Sequence, residues 1–462
     1  MNQAQDITMP MTPLERRASF SLALIFACRM LGLFMILPVF SLYAEDLPNA
    51  TPLLIGFAIS AYGLTQALLQ IPFGMLSDHF GRKKIIALGL ILFAAGSVLA
   101  ALSDSIYGII AGRALQGCGA IAAAVMALAA DLTREEHRTK AMASIGISIG
   151  ISFAIALVAG PVIASAIGIS GIFWLTAGLA LAAFAVLFVM VPSPAKLSFH
   201  SDTEPVPGQF HRVLRNSELL RLDVGILALH LMLTATFVTL PLVLRDAGVA
   251  SVNHWLVYLP VMVVAIAAMV PFVIIAEKKR KMKIVFLGAI TVIAISGLGL
   301  FAFHDRLAFI VGFLFLFFTG FNLLEATLPS MISKIAPAGA KGTAMGVYSS
   351  SQFIGAFLGG ISGGWIYGRF GTEEVFLFCC AVALLWLLVA WGMRPPLHVS
   401  RLLLNIGTID PVDAVSIEKK MAAITGVADV SVSTAEGIVY LKVDQGKLDR
   451  ESLDQLVDYH KV

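Results

Sequence analysis

Long apolar runs alternate with short polar breaks along most of the chain. A run of about 20 residues crosses a hydrocarbon layer of ~30 Å. Runs of that length begin near residues 19, 53, 84, 106, 140, 172, 219, 255, 283, 307, 341 and 375. This pattern predicts an all-α polytopic membrane protein with twelve transmembrane helices. A polar stretch over 192–217, carrying Pro192, Pro194, Pro205 and Pro207, divides them into two six-helix halves, 1–191 and 218–394. Beyond Arg394 the pattern changes. Alternating stretches at 400–406, 429–433 and 437–443 frame helical periods at 415–424 and 449–459. The order βαββα predicts a small soluble α+β domain over 395–462.

Composition agrees with this division. The chain is 58% hydrophobic and 13% charged, with a mean hydropathy of +0.88, whereas soluble proteins carry about 25% charged residues. Eighteen charged residues fall in the last 69, against 43 in the preceding 393. With the N-terminus placed in the cytoplasm, the inside segments hold 20 Lys and Arg. The outside loops hold three, Arg245, Arg306 and Arg369. This bias predicts a multi-pass protein of the cell inner (plasma) membrane with both termini cytoplasmic. The run from Phe20 to Phe40 follows Arg16 and Arg17 but is too long for a signal peptide.

Several classes drop out. A net charge of +3 gives no case for nucleic acid. The four cysteines (Cys28, Cys118, Cys379, Cys380) lie inside apolar runs without metal-ligand spacing. No P-loop, metal cluster or nucleophile–base arrangement occurs, so neither enzymatic activity nor a cofactor is expected.

Polar side chains inside the spans are the candidate chemistry, because charge in hydrocarbon costs at least ~2.5 kcal/mol. Arg29 lies about ten residues into the first span. Gln66 lies near the middle of the second, with Tyr62 one turn away. His230 is eleven residues into the seventh. Glu325 is about nine residues from the cytoplasmic end of the tenth, with Asn322 three residues before it on the same face. At ~1.5 Å per residue all four depths fall near ~15 Å, as a shared midplane cavity requires. Arg113 and Gln116 lie one turn apart in the fourth span. The alternative for each group, weightiest for the amides and Tyr62, is that it only holds helices together. Glu325 is the preferred proton carrier.

The most ordered polar segment is the turn Gly74-Met75-Leu76-Ser77-Asp78-His79-Phe80-Gly81-Arg82-Lys83-Lys84. It has a degraded echo at Glu277–Lys283 in the second half. With its Gly, Asp and Gly-Arg-Lys spacing, the chain resembles the major facilitator superfamily over about residues 14–394. A second family motif recurs as Arg113 to Ala120. A third, typical of drug–proton antiporters, is a glycine-spaced fifth helix with Gly146, Gly150, Gly160 and Pro161, although Ala156 and Ala164 replace two of its usual glycines. The resemblance implies a cytoplasmic latch between Asp78 and the start of the eleventh helix near Lys341. It also implies an Arg82–Asp131 pair, a part for Arg113 in proton coupling, and helix packing at Gly150, Gly160 and Pro161.

The C-terminal domain resembles heavy-metal-associated, ferredoxin-like modules, which makes the chain most similar to YajR-type members. Asp410-Pro411-Val412-Asp413 stands where those modules carry two cysteines, so no metal is expected there. The domain is open to regulation, self-association or a small ligand. The reading that emerges is a proton-coupled exporter (antiporter) of small amphipathic molecules working by alternating access. Its partners are a small-molecule substrate, protons and the lipid bilayer. Symport, uniport and a membrane sensor signalling through the C-terminal domain are the alternatives.

Overall fold

The computed structural model describes residues 10–193, 209–337, 340–394, 400–405, 411–433, 437–444, 447–450 and 452–453. Most of the expected linker and most of the expected helix over 449–459 lie outside these residues. Threonine caps followed by proline start two of the long helices. Thr12 caps α1 (Pro13–Phe34) in a reciprocal box with Glu15. Thr51 caps α3 (Pro52–Phe80), after the short α2 (Phe40–Ala44). The first half continues with α4 (Arg82–Ala101), α5 (Ile106–Cys118), α6 (Ala122–Asp131) and α7 (Glu135–Val189). The second follows as α8 (Phe210–Leu214), α9 (Ser217–Asp246), α10 (Trp255–Lys278), α11 (Met282–Ala302), α12 (Leu307–Ile335), α13 (Lys341–Phe370) and α14 (Thr372–Trp391). Ten stretches among the described residues are long and apolar enough to cross a membrane.

Three departures from the apolar pattern have local causes. The fourth run is broken between α5 and α6 at Gly119–Ile121. The fifth and sixth runs form one 55-residue α7, interrupted at Gly168 with φ of 69°. That left-handed conformation suits glycine and turns the chain back. Finally, α13 is not among the ten apolar stretches, because glycine and serine replace bulky side chains along it.

Those glycines let backbones touch. Gly355, Gly359 and Gly363 of α13 lie against Leu227, Leu231 and Ala235 of α9, in parallel register. On another face, Gly360 lies against Gly56 of α3, and Gly364 against Pro52, in antiparallel register. The α3–α13 contact reaches inward to Ser350, which donates to the Ala67 carbonyl at 3.3 Å. This joins the two halves at the end opposite the Gly74–Lys84 turn. The start of α13, the start of α9, the end of α12 and the end of α3 share the other, loop end.

Cations at the loop end cap helix C-termini, whose last carbonyls lack intrahelical partners. Arg17 donates to the Val189 and Met190 carbonyls at 2.8 Å each, and Lys83 to that of Val191 at 2.6 Å.

The C-terminal segment contains β1 (Ser400–Asn405), α15 (Pro411–Ala422), β2 (Val427–Ser433) and β3 (Ile438–Val443). The strands form an antiparallel sheet in the order β1-β3-β2. Ile417, Met421, Val439, Leu441 and Val443 form its core. Lys442 on the central strand reaches the membrane part, donating to the Lys334 carbonyl near the end of α12 at 2.7 Å.

Replacing Gly360 by Val forces side-chain atoms into the Gly56 backbone, and overpacking of this kind costs about 1–3 kcal/mol. Spin labels across the α3–α13 junction should move apart in Gly360→Val. They should stay in place in Gly312→Ala, where an added Cβ meets nothing within 4 Å.

Candidate functional site

The break between α5 and α6 leaves backbone carbonyls without helical donors at membrane depth, which is tolerated only where protein groups satisfy them. Arg29 of α1 does so. Its Nη2 donates to the Gly119 carbonyl at 2.8 Å and to Gln66 Oε1 at 2.7 Å. The same Gln66 oxygen accepts from Tyr62 at 3.2 Å, and Gln66 Nε2 donates to Gln70 Oε1 at 3.1 Å. The Tyr62 ring lies 5.7 Å from the Arg29 guanidinium and 5.4 Å from that of Arg113, within cation–π range. Arg113 donates to Gln116 at 2.9 Å and to the Ile59 carbonyl at 2.9 Å. Gln116 passes the chain on to Ser97 at 2.7 Å.

The first half thus joins Arg29, Tyr62, Gln66, Arg113 and Gln116 into one network. All five are buried, between 0% and 3% exposed. They are sealed between helices rather than lining open space, which differs from the cavity expected of them. The reason is that the carbonyls of Gly119, Ala58 and Ile59 draw both guanidinium groups inward.

The second half is less satisfied. Gln352 of α13 donates to His230 Nε2 at 2.8 Å and to Glu325 Oε1 at 3.4 Å. With Nε2 accepting from Gln352, His230 carries its proton on Nδ1, which has no acceptor among the described residues. Glu325 Oε2 lies 3.9 Å from His230 and has no hydrogen-bond donor among the described residues. Glu325 is deep in the bundle, yet 38% of its side chain is accessible, as in a cavity wall. Asn322 does not join this group; its Nδ2 turns to the Met262 sulfur at 3.8 Å. Phe353, next to Gln352, stacks edge-on against Tyr62 with ring centres 6.0 Å apart, so aromatic packing lies where the halves meet.

At the loop end, Arg82 is held from three sides. It pairs with Asp78, approaches Asp131 at 3.3 Å and donates to Ser77 Oγ at 2.9 Å. Arg82 is 2% and Asp131 0% exposed, but Asp78 is 28% exposed. Gly81 has φ of 96°, so the turn between α3 and α4 favours glycine for its conformation. Gly74 is set by space instead, because an added Cβ would lie 3.0 Å from the Ala123 side chain.

The antiporter-like glycines divide. Gly160 packs against the Met35 carbonyl and Pro38, beside Pro161. Gly150 meets nothing within 4 Å, nor does Gly146. The packing expected of Gly150 is therefore absent, because no neighbouring helix covers that face of α7 toward the loop end.

Several partners were not singled out in the sequence. Gln352 sits in a Ser- and Gly-rich helix where an amide stands out little. Ser97 and Gln70 have no local signal at all. Opposite the loop end, Glu45 of the first half accepts from Arg245 at 2.8 Å and from Tyr367 at 3.2 Å, both of the second half. Asp223 of α9 is 5% exposed and, among the described residues, has no hydrogen-bond partner on either oxygen.

Removing Arg29 takes the charged donor from the Gly119 carbonyl and from Gln66 Oε1, leaves that carbonyl with the Ile121 N–H, and opens a void. Arg29→Ala should cost roughly 2–4 kcal/mol, read as a lowered unfolding temperature in detergent. An unchanged temperature would show that the network holds nothing together.

Comparison with known proteins bears on the whole arrangement. The Major Facilitator Superfamily model matches residues 22–360 and 330–408. The chain is 49% identical over 448 residues to the inner membrane transport protein YajR of Escherichia coli, covering 97% of this chain and 98% of that protein. It is 25% identical over 364 residues to the multidrug resistance protein MdtH of Aeromonas salmonicida, covering 76% and 88%. Among solved structures, a bacterial homologue of the human lysosomal transporter Spinster, inward-facing and occupied, matches with a TM-score of 0.67 at 12% identity. That match covers 82% of this chain and 97% of that one. The chain belongs to the major facilitator superfamily and is a membrane-spanning secondary transporter rather than an enzyme.

Proposed function

We propose that the protein exports small amphipathic molecules across the inner membrane in exchange for protons, with Glu325 as the proton carrier. The observation that carries this reading is the Glu325 carboxyl. It is deep and partly accessible; Gln352 donates to one oxygen, while the other lies 3.9 Å from His230 and has no donor among the described residues. A purely structural acid in hydrocarbon would be paired. The resemblance to MdtH, a protein named for multidrug resistance, supports export. So does the aromatic cluster of Phe153, Phe317 and Phe321 beside His230. YajR's name supports the inner membrane.

In this reading twelve helices cross the bilayer. The stretch Lys140–Val189 counts twice because Gly168 turns it back, and α13 counts despite its glycines. The excess of Lys and Arg at the loop end supports cytoplasmic termini. Two six-helix bundles rock about the Glu325 level. The Asp78–Arg82–Asp131 cluster acts in the cytoplasmic latch with the start of α13, and the Arg29–Arg113 network holds the first bundle rigid. The C-terminal domain, ferredoxin-like in strand order, regulates the α12–α13 corner through Lys442.

The test is flux in sealed vesicles with an imposed pH gradient, over a panel of apolar cations and neutral amphiphiles. Glu325→Gln should bind a transported compound as the wild type does and lose gradient-driven flux, by about 100-fold or more for a missing proton-transfer group. Full gradient-driven flux in this variant rules out Glu325. Substrate moving in the same direction as protons would replace export by symport.

A further inference from the structure

Asp223 is a buried acid that the transport cycle above leaves unused. It lies six residues into α9, about 9 Å from the start of that helix at 1.5 Å per residue. Tyr348 lies seven residues into α13, about 10 Å from the same end, and Glu325 ten residues from the end of α12, about 15 Å. The parallel register of α9 and α13 sets Asp223 at the level of Ser351, one turn from Tyr348. Among the described residues, both Asp223 oxygens, the Tyr348 hydroxyl and Glu325 Oε2 lack hydrogen-bond partners. Asp223 and Tyr348 are 5% and 3% exposed. Tyr348 lies one turn before Gln352 on the same face of α13, and Gln352 donates to Glu325.

The surroundings supply no structural reason for the acid. From α14, Trp386 packs against Gly225 and its Nε1 also lacks an acceptor. Arg221, two residues earlier, is engaged by Glu218 and the Gly392 carbonyl. Among the described residues no cation pairs with Asp223. An ionisable group kept inside a membrane bundle without a partner marks an ion or proton route.

We propose that Asp223 and Tyr348 form a proton relay from the loop end of the bundle to Glu325. This rests on the reading of Glu325 as proton carrier. A hydronium at the loop end gives its proton to an Asp223 oxygen. No hydrogen bond joins the three groups among the described residues, so each hand-off passes through one bridging water: the Asp223 O–H gives its proton to a water that protonates the Tyr348 oxygen, while the Tyr348 O–H gives its own to a second water that protonates Glu325 Oε2. One O–H bond forms for each that breaks, one proton moves inward, and nothing is oxidised or reduced. Rotation of the Tyr348 hydroxyl resets the relay, and the reverse sequence releases the proton to the loop side.

The experiment is a pH jump from about pH 8 to about pH 5 on the full-length protein in lipid nanodiscs, spanning carboxyl titration. Time-resolved infrared difference spectra follow the carboxylic C=O stretch, with the proton itself as probe. The Glu325 band is identified by its loss in Glu325→Gln. In Asp223→Asn and in Tyr348→Phe that band should reach the same amplitude but rise about tenfold more slowly or worse, and Asp223→Glu should restore the rate. If Glu325→Gln removes no band, the carrier assignment fails and the relay with it. If the band is lost in Glu325→Gln but rises at the wild-type rate in either Asp223→Asn or Tyr348→Phe, the relay alone is overturned. Tyr348→Phe removes a single oxygen, so it decides the matter even where Asp223→Asn does not fold.

Discussion

A polar group inside a bilayer finds its partner within the protein or costs several kcal/mol. The first half of this transporter is organised around that constraint. The interruption between α5 and α6 exposes the Gly119 carbonyl, and Arg29 crosses from α1 to meet it. The guanidinium then needs Gln66, which in turn engages Tyr62 and Gln70. Arg113 repeats the arrangement against the carbonyls of Ala58 and Ile59. The outcome is a bundle whose intramembrane charges are tied to backbone, and so are fixed in place.

The second half obeys the constraint less completely, and its exceptions are informative. Glu325 and Asp223 keep oxygens without donors among the described residues, while Arg113 and the Nη2 of Arg29 reach carbonyls, with Nε and Nη1 of Arg29 left without partners. In the proposed cycle the two halves divide the labour: one supplies a rigid wall, the other the groups whose protonation changes. What joins them is mostly shape. The contact of Gly56 with Gly360 and of Pro52 with Gly364 brings backbones together over several turns. The Glu45–Arg245 pair at the same end is 33% and 43% exposed, and exposed pairs are worth roughly 0–1 kcal/mol. Closure at that end therefore rests on glycine packing, with the ion pair adding direction more than strength. The buried Arg82–Asp131 contact at the loop end is of a different kind, since breaking one partner there strands a charge.

What the sequence made legible follows from the range of each interaction. Pairs one turn apart, Tyr62 with Gln66 and Arg113 with Gln116, could be read from helical spacing alone. The hydrophobic runs located nearly every helix, including glycine-rich α13, and missed the break at Gly119, which a flanking pair of glycines only hints at. Contacts between helices were another matter. The Arg82–Asp131 pairing came through family resemblance, whereas Arg29 with Gly119 and His230 with Gln352 join residues 90 and 122 positions apart with no local mark. Asp223 escaped notice because it follows Arg221 near the start of a span, where a charge looks like a boundary residue. Gly150 went the other way: its motif suggested packing, and only the arrangement of neighbours shows that its face is uncovered.

The central claim is that the protonation state of Glu325 decides which end of the bundle is open. Distances between paired spin labels test it directly, with one pair at the loop end on Phe80 and Ile284 and the other at the opposite end on Leu102 and Phe303, all exposed. In the wild type, acidification should lengthen one distance and shorten the other. In Glu325→Gln, which imitates the protonated acid, both should stay at their acidic values at every pH. Distances that follow pH in Glu325→Gln as they do in the wild type would contradict the account.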